Sequence, residues 1–429
     1  MCQRVDGWGM PIARRHPLAM LALLGVLLLA VVCASSTVAA ANAASGVKKR
    51  PATGRAGIAT ARSLPQPNRC AKRLAPSRAK QMTLKRKRRM IRRLRSNCRQ
   101  PARKSSAAPT AKYWGAWIGS HLTGDEAPWD MGAADKFEQI AGKRMSTVHF
   151  SSPFADCSSS CDYYEFPTEP MEDIRGHGSI PFFSWGSQAT PASLNQPNFQ
   201  LSDVISGAHD AYIRKFAEEA RDWGHPFFLR FNWEMNGNWF AWMEGVNGNQ
   251  PGESVAAWRH VHEIFTSVGA TNATWVWAPN VDPDAQLRDL ASLYPGDAYV
   301  DWTGLDGYNW GTHPARDDVW RSFDDLYRST YEYITQTLAP SKPLAIAEIG
   351  STEYGGSKSA WIEDAMNSIA TSYPQVRAVL WFEKYDDGMD WPIETSSAAT
   401  AAFSAGIQNP VFRENSYTDL AATTIPSPQ

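Results

Sequence analysis

The stretch RFNWEMNGNWFAW (Arg230–Trp242) follows the apolar run PFFL (Pro226–Leu229). Four apolar residues before a polar, aromatic segment read as a buried strand running into a loop. In that loop one carboxylate, Glu234, stands among three Trp, two Phe and three Asn. Burying an ionised carboxylate costs several kcal/mol unless it is paired. Apolar walls also raise a carboxyl pKa, which a general acid working near neutral pH requires. An ordinary paired Glu at a strand end is the competing reading, and the rest of the chain decides between them.

Seven further apolar, β-rich runs have the same character: 113–119, 146–152, 179–185, 273–279, 301–308, 343–350 and 376–383. Helical spacing fills most of the gaps. Tyr212, Ile213, Phe216, Ala220 and Trp223 line one face of a helix over His209–Trp223. Val255, Trp258, Val261, Phe265 and Val268 do the same in the next gap, and Trp361, Ile362, Met366 and Ile369 mark a later helix ending at Tyr373-Pro374. The gap between the first two strands has the least regular helical pattern. Eight strands alternating with helices over about 300 residues predict an α/β fold, a closed (β/α)8 barrel. An open doubly wound sheet would want a Gly-rich phosphate turn after the first strand, and Gly115 and Gly119 do not form one.

In such a barrel the active site lies at the C-terminal ends of the strands. Glu234 falls just past the fourth. Glu348, in the otherwise apolar PLAIAEIG, falls near the end of the seventh, almost opposite. Two facing carboxylates suit retaining glycoside hydrolysis, in which one is the acid/base and the other the nucleophile. Trp185, Trp277 and Trp310 sit at or near strand ends and are stacking candidates for sugars, with core packing as the alternative. Asn232 and Asn236 flank Glu234 as sugar-hydroxyl partners or turn formers. Arg230 is expected to pair with a buried acid, with Asp306 as a partner. Glu383 beside Lys384 reads as a surface ion pair or a third carboxylate in the site. His149, His260 and His262 read as satisfied structural residues. No metal or organic cofactor is expected.

The remainder of the chain is asymmetric. Between Ser45 and Lys112 there are 22 Lys/Arg and no acid, whereas from Tyr113 onward 42 acids face 18 bases. All but one of the 18 Trp lie after Tyr113. Residues 1–43 read as a signal peptide: Arg14-Arg15, an apolar run from Leu18 to Cys33 and an A-x-A-like site at Ala41-Asn42-Ala43. A secreted protein follows, with an uncleaved anchor as the rival. Residues 44–112 form a basic arm, whose segment Gln81–Asn97 has the spacing of a thinly amphipathic helix. It reads first as a solvated linker, second as an adhesive for an anionic cell-wall or membrane surface, and last as a nucleic-acid binder, which export disfavours. Four Cys remain after export and allow three pairings, of which Cys70–Cys98 and Cys157–Cys161 are the natural one. The organisation expected is thus 1–43 signal peptide, 44–112 arm, 113–410 barrel and 411–429 C-terminal tail, as a monomer.

RFNWEMNGNWFAW, YPGDAYVDWTGLDGYN (294–309), KPLAIAEIGS (342–351) and VLWFEKYDDGMDWPIE (379–394) together resemble glycoside hydrolase family 26 from Tyr113 to about Ile407. That family contains endo-β-mannanases, β-1,3-1,4-glucanases and β-1,3-xylanases on a (β/α)8 barrel. The resemblance makes Glu234 the acid/base and Glu348 the nucleophile. It implies that Tyr308 hydrogen-bonds the nucleophile and that Trp239 and Trp381 wall the sugar subsites. The chain departs from the family's mannanases at three places. Trp233 and Gly186 stand where His is common, and Glu383 stands where the eighth strand usually carries Asn. The expected substrate is a β-linked polysaccharide, with mannan, glucan and xylan all open. A carbohydrate-binding barrel that has lost catalysis, anchored by its basic arm, is the alternative.

Overall fold

The computed structural model describes residues 110–429, apart from 315 and 422. The expected signal peptide, nearly all of the arm and the Cys70–Cys98 pair lie outside the described residues.

Eight parallel strands form the barrel: β1 (Lys112–Ile118), β2 (Thr147–Asp156), β3 (Ile180–Thr190), β4 (Phe227–Phe231), β5 (Ala273–Trp277), β6 (Trp302–Asn309), β7 (Leu344–Ser351) and β8 (Val376–Glu383). Each pairs with the next, and β8 pairs with β1, which also pairs with β2, so the sheet closes. A helix follows each strand: α1 (Met131–Ala141), α2 (Thr168–His177), α3 (Asp210–Trp223), α4 (Glu253–Val268), α5 (Leu290–Leu293), α6 (Phe323–Tyr333), α7 (Lys358–Thr371) and α8 (Ser397–Ile407). The gap with the least regular helical pattern holds α1, capped by the Asp130 carboxylate on the Gly132 N–H. Helix α3 shows why the spacing works. Ile213, Phe216, Ala217 and Ala220 bury on the barrel, and Gly224 ends the helix at φ 73°, a conformation that suits Gly. α4 does the same with Ala257, Trp258, Val261, Ile264 and Phe265.

The period of two within each strand sorts side chains between two cores. Tyr113, Ile180, Phe182, Phe228, Val276, Trp302, Ala345, Ala347, Ala378 and Leu380 fill the barrel's lower interior. Their outward-facing neighbours, among them Trp114, Phe183, Trp185, Leu229, Trp277, Val379 and Trp381, pack under the helices. Above the apolar interior lies a buried polar layer: His149, Ser184, Arg230, Asp306 and Glu348.

Residues 411–429, expected as a tail, are part of the barrel. Phe412–Arg413 pairs with β1. Tyr417 and Ile425 join the interior core. Trp302 Nε1 donates to the Ile425 carbonyl at 3.0 Å, and the Ile425 N–H donates to Thr274 Oγ1 at 2.7 Å. The segment covers the barrel's lower end because the apolar interior would otherwise meet water there. At the other border, β1 begins at Lys112, one residue before the expected domain start.

Candidate active site

The polar layer is organised by Arg230, which is fully buried on β4. Its Nε donates to Ser184 Oγ at 2.7 Å and one terminal nitrogen donates to Asp306 at 2.6 Å. The other terminal nitrogen donates to Glu348 in a short contact, and the guanidinium lies 5.0 Å from the Trp233 ring centroid. So the expected Arg230–Asp306 pair forms, and Glu348 shares the same cation. Ser184 also bonds His149 Nε2 at 2.8 Å. Burial, reinforced by the Arg230 charge, pulls the His149 pKa well below its usual value, so the ring is neutral.

Glu348 takes a second short hydrogen bond from the Tyr308 hydroxyl. The strand is irregular here. Leu305 pairs with Ile346, but Asp306 pairs with Glu348, so β7 carries one extra residue. Ala347 faces inward and Ile349 outward. Strict alternation would therefore turn Glu348 toward the helices, and the bulge aims it into the barrel mouth.

Glu234 follows β4 in a tight turn where Asn232 (φ 41°) and Glu234 itself (φ 53°) adopt left-handed backbone. Such strain in non-Gly residues persists where the surroundings hold it. The Glu234 N–H donates to Ala278 O at 2.8 Å, tying the turn to the end of β5. Its two oxygens accept one donor each, Trp239 Nε1 at 2.6 Å and Asn280 Nδ2 at 2.6 Å. Burial first, and then the charge of Glu348, push Glu234 up to about 7. The two donors and Arg230 oppose that shift. The site thus holds one carboxyl that keeps its proton near neutrality and one carboxylate clamped by a guanidinium and a phenol.

The other expected residues divide. Asn232 bonds Ser187 on both side-chain atoms, at 2.8 Å each, and locks the ends of β3 and β4 together. Asn236 grips the Asn280 backbone at 2.8 and 2.9 Å, so it reaches Glu234 only through Asn280. Trp233 is buried at the site's edge against Arg230 and Trp242. Gly186 fits beside it, since a Cβ there would lie 2.6 Å from the Trp242 ring.

Trp381 and Trp185 are corrections. Trp381 faces the helices, packs on Phe403 and donates to the Trp391 carbonyl at 3.1 Å. Trp185 stacks on Phe216 at 4.2 Å beneath α3. Both are fully buried and neither lines the cleft. Trp277 likewise belongs to the outer core. Trp391, Trp310, Phe382 and Trp117 gather around Tyr308 instead, and Trp391 lies 4.9 Å from it. Glu383 is a further correction. It is buried, facing His121 and Glu394, while Lys384 pairs with Glu126 at 3.0 Å. His260 pairs with Asp210 and His262 packs on Trp275, both away from His149. Cys157 is bonded to Cys161 in the turn after β2. Asn280 and Trp391 were not picked out from the sequence, since a loop Asn and a loop Trp carry no distinguishing pattern.

The model of glycosyl hydrolase family 26 matches residues 120–403. The chain belongs to that family. Among its relatives, Endoglucanase H of Acetivibrio thermocellus is 34% identical over 306 residues, 69% of this chain and 31% of that protein. A mannan endo-1,4-beta-mannosidase of Bacillus subtilis is 26% identical over 244 residues, 54% of this chain and 60% of that protein. The chain therefore spans from about a fifth to three fifths of the length of the curated relatives it matches. A modular endo-beta-1,4-mannanase from Cellulomonas fimi has the same fold at a TM-score of 0.54 and 18% identity, over 74% of this chain and 76% of that one. Family membership and the closed barrel agree with the fold and resemblance read from the sequence.

Proposed function

We propose that this chain is a retaining endo-glycosidase that hydrolyses a β-linked glucan by double displacement. The observation that carries this reading is the contrast between two buried carboxyls at one barrel mouth. Glu234 is held up to about 7, and Glu348 is gripped by the Arg230 guanidinium and the Tyr308 hydroxyl. In the first step Glu234 protonates the glycosidic oxygen while a Glu348 oxygen attacks the anomeric carbon. The bond to the leaving sugar breaks and a glycosyl ester forms. In the second step Glu234, now ionised, takes a proton from water. The hydroxyl oxygen displaces Glu348, and the sugar leaves with its configuration retained. Asn280 and Trp239 steady the ionised form of Glu234 between the steps.

The glucan assignment rests on the greater similarity to the endoglucanase and on Trp233 and Gly186 at positions where the family's mannanases commonly carry His. β-Mannan is the second reading, favoured by the mannosidase relatives. The N-terminal features support export, the Cys157–Cys161 pair fits an oxidising compartment, and the basic arm has the charge to hold an anionic surface. The protein acts as a monomer.

Azide provides the test. Glu234→Ala, given an activated aryl β-glucoside and azide, is expected to yield the β-glycosyl azide. Glu348→Ala is expected to yield the α-azide, and neither variant cuts polymer. Unchanged polymer hydrolysis by Glu348→Ala overturns the mechanism. Wild-type release of reducing ends from mannan and not from mixed-linkage glucan or cellulose overturns the substrate assignment.

A further inference from the structure

We propose that His121, Glu383 and Glu394 form a binding site for a divalent ion of the zinc class at the barrel rim, apart from the catalytic pair. His121 lies in the turn after β1, Glu383 ends β8, and Glu394 lies in the short turn Ile393–Thr395. The turn after β1 and the stretch from the end of β8 to Thr395 thus bring one imidazole and two carboxylates together.

The spacing favours a shared cation over direct hydrogen bonding. His121 Nε2 stands 3.5 Å from Glu383 Oε1 and 3.5 Å from Glu394 Oε1. A charge-assisted N–H···O bond prefers about 2.7–2.9 Å. Two ligand atoms that each sit about 2.0–2.1 Å from a tetrahedral zinc ion are about 3.4 Å apart. The observed spacing matches that edge. One His and two carboxylates also make a donor set that zinc accepts, with the fourth position left for water.

A second observation points the same way. Both carboxylate oxygens of Glu394 are shut off from solvent, and the side chains they face are the other two members of the cluster, His121 and Glu383. Glu383 is fully buried and accepts the Ile393 N–H at 3.0 Å, an outer contact of the kind that orients a metal ligand. Two acidic side chains and one imidazole offer three ligand atoms within 4.8 Å of one another. Neighbouring ammonium groups hydrogen-bond elsewhere. Lys384 reaches Glu126, and Lys358 donates to the carbonyls of Asp390, Trp391 and Pro392 and to Thr395 Oγ1. A divalent ion satisfies the geometry.

Such an ion would fasten the turn after β1 to the segment 390–395. That segment carries Trp391, which packs on Tyr308, the hydroxyl that holds Glu348. The site would steady the cleft wall without touching the reacting atoms. It does not depend on the proposed reaction.

The test uses the full chain, stripped with EDTA, dialysed and titrated with Zn2+ by calorimetry, with metal content measured afterwards. Wild type is expected to take up one more zinc per chain than Glu394→Gln or His121→Ala. Its Tm is expected to rise by several degrees with zinc, and theirs is not. Equal stoichiometry in wild type and Glu394→Gln overturns the site, and binding of Ca2+ in preference to Zn2+ overturns its class. Co2+-loaded wild type, which needs no variant to fold, is expected to show the visible absorption of a four-coordinate nitrogen–oxygen site. Absence of that absorption also overturns the proposal.

Discussion

Replacing Trp239 by Phe tests whether Glu234 is the titrating acid. Glu234 sits between opposed influences. Burial and the Glu348 charge favour its protonated form, while the Trp239 and Asn280 donors, each at 2.6 Å, favour the ionised one. A hydrogen bond to a charged group contributes about 1.5–3 kcal/mol, and a neutral carboxyl recovers only part of that, so the differential is about 1–1.5 kcal/mol. At about 1.4 kcal/mol per pKa unit, losing the indole N–H raises Glu234 by about one unit. The group is at about 7 in the wild type. The basic limb of kcat/KM against pH should therefore move upward by about that much in Trp239→Phe. The assay is initial-rate hydrolysis of the natural polymer across pH 5–10. Because kcat/KM reports the free enzyme, any loss of sugar stacking lowers the plateau without moving the limb. A basic limb that stays in place, or moves down, refutes the assignment of Glu234 as the acid held by Trp239. Asn280→Ala shifts the same limb in the same direction and gives an independent check.

Three further outcomes follow, two from the same layer of charge and one from the outer core. The folded-state pKa of Glu234 lies above its unfolded value of 4.5, so the folded state binds the proton more tightly. Its contribution to stability is complete below that value and is lost as pH rises to about 7, by up to about 3 kcal/mol. Glu234→Gln removes this slope, and chemical denaturation at pH 4, 6 and 8 compares the slopes of the two proteins. Arg230→Met strands two buried carboxylates and should cost about 3–5 kcal/mol of stability, measured as a lowered urea midpoint. Trp381→Ala should lose about 3–5 kcal/mol through the cavity it leaves under α8, with KM unchanged. A raised KM at unchanged stability would return Trp381 to the cleft.

The sequence made the architecture legible because eight apolar runs and the helices between them obey simple periods. It made the proposed catalytic pair legible because each Glu is costly where it stands, past one apolar strand and inside another. The aromatic residues are sorted by one property. Trp185 and Trp277 lie near strand ends, which suits a sugar platform or the core, and Trp381 is a subsite wall only by resemblance, but face decides the matter. Ser184 and Phe382 point inward, so their neighbours Trp185 and Trp381 must point outward, and the outer core contains both. Applying that phase to the sequence would have removed them and promoted Phe382 and Trp117. The same rule, applied to β7, would have been wrong. With Ala345 and Ala347 inward, alternation sends Glu348 to the helices, and only the extra residue opposite Leu305–Asp306 restores it to the mouth. A bulge has no signature in a run such as PLAIAEIG, because Ala and Ile fit either register. Glu348 is nonetheless found by a different argument. An ionised carboxylate is tolerated inside this barrel only where a cation can meet it, and the β4 strand supplies a buried one in Arg230. Where periodicity and charge compensation disagree about the face of a strand residue, charge compensation is decisive. Misplacing a methyl group costs about 1 kcal/mol, whereas an uncompensated buried charge costs several.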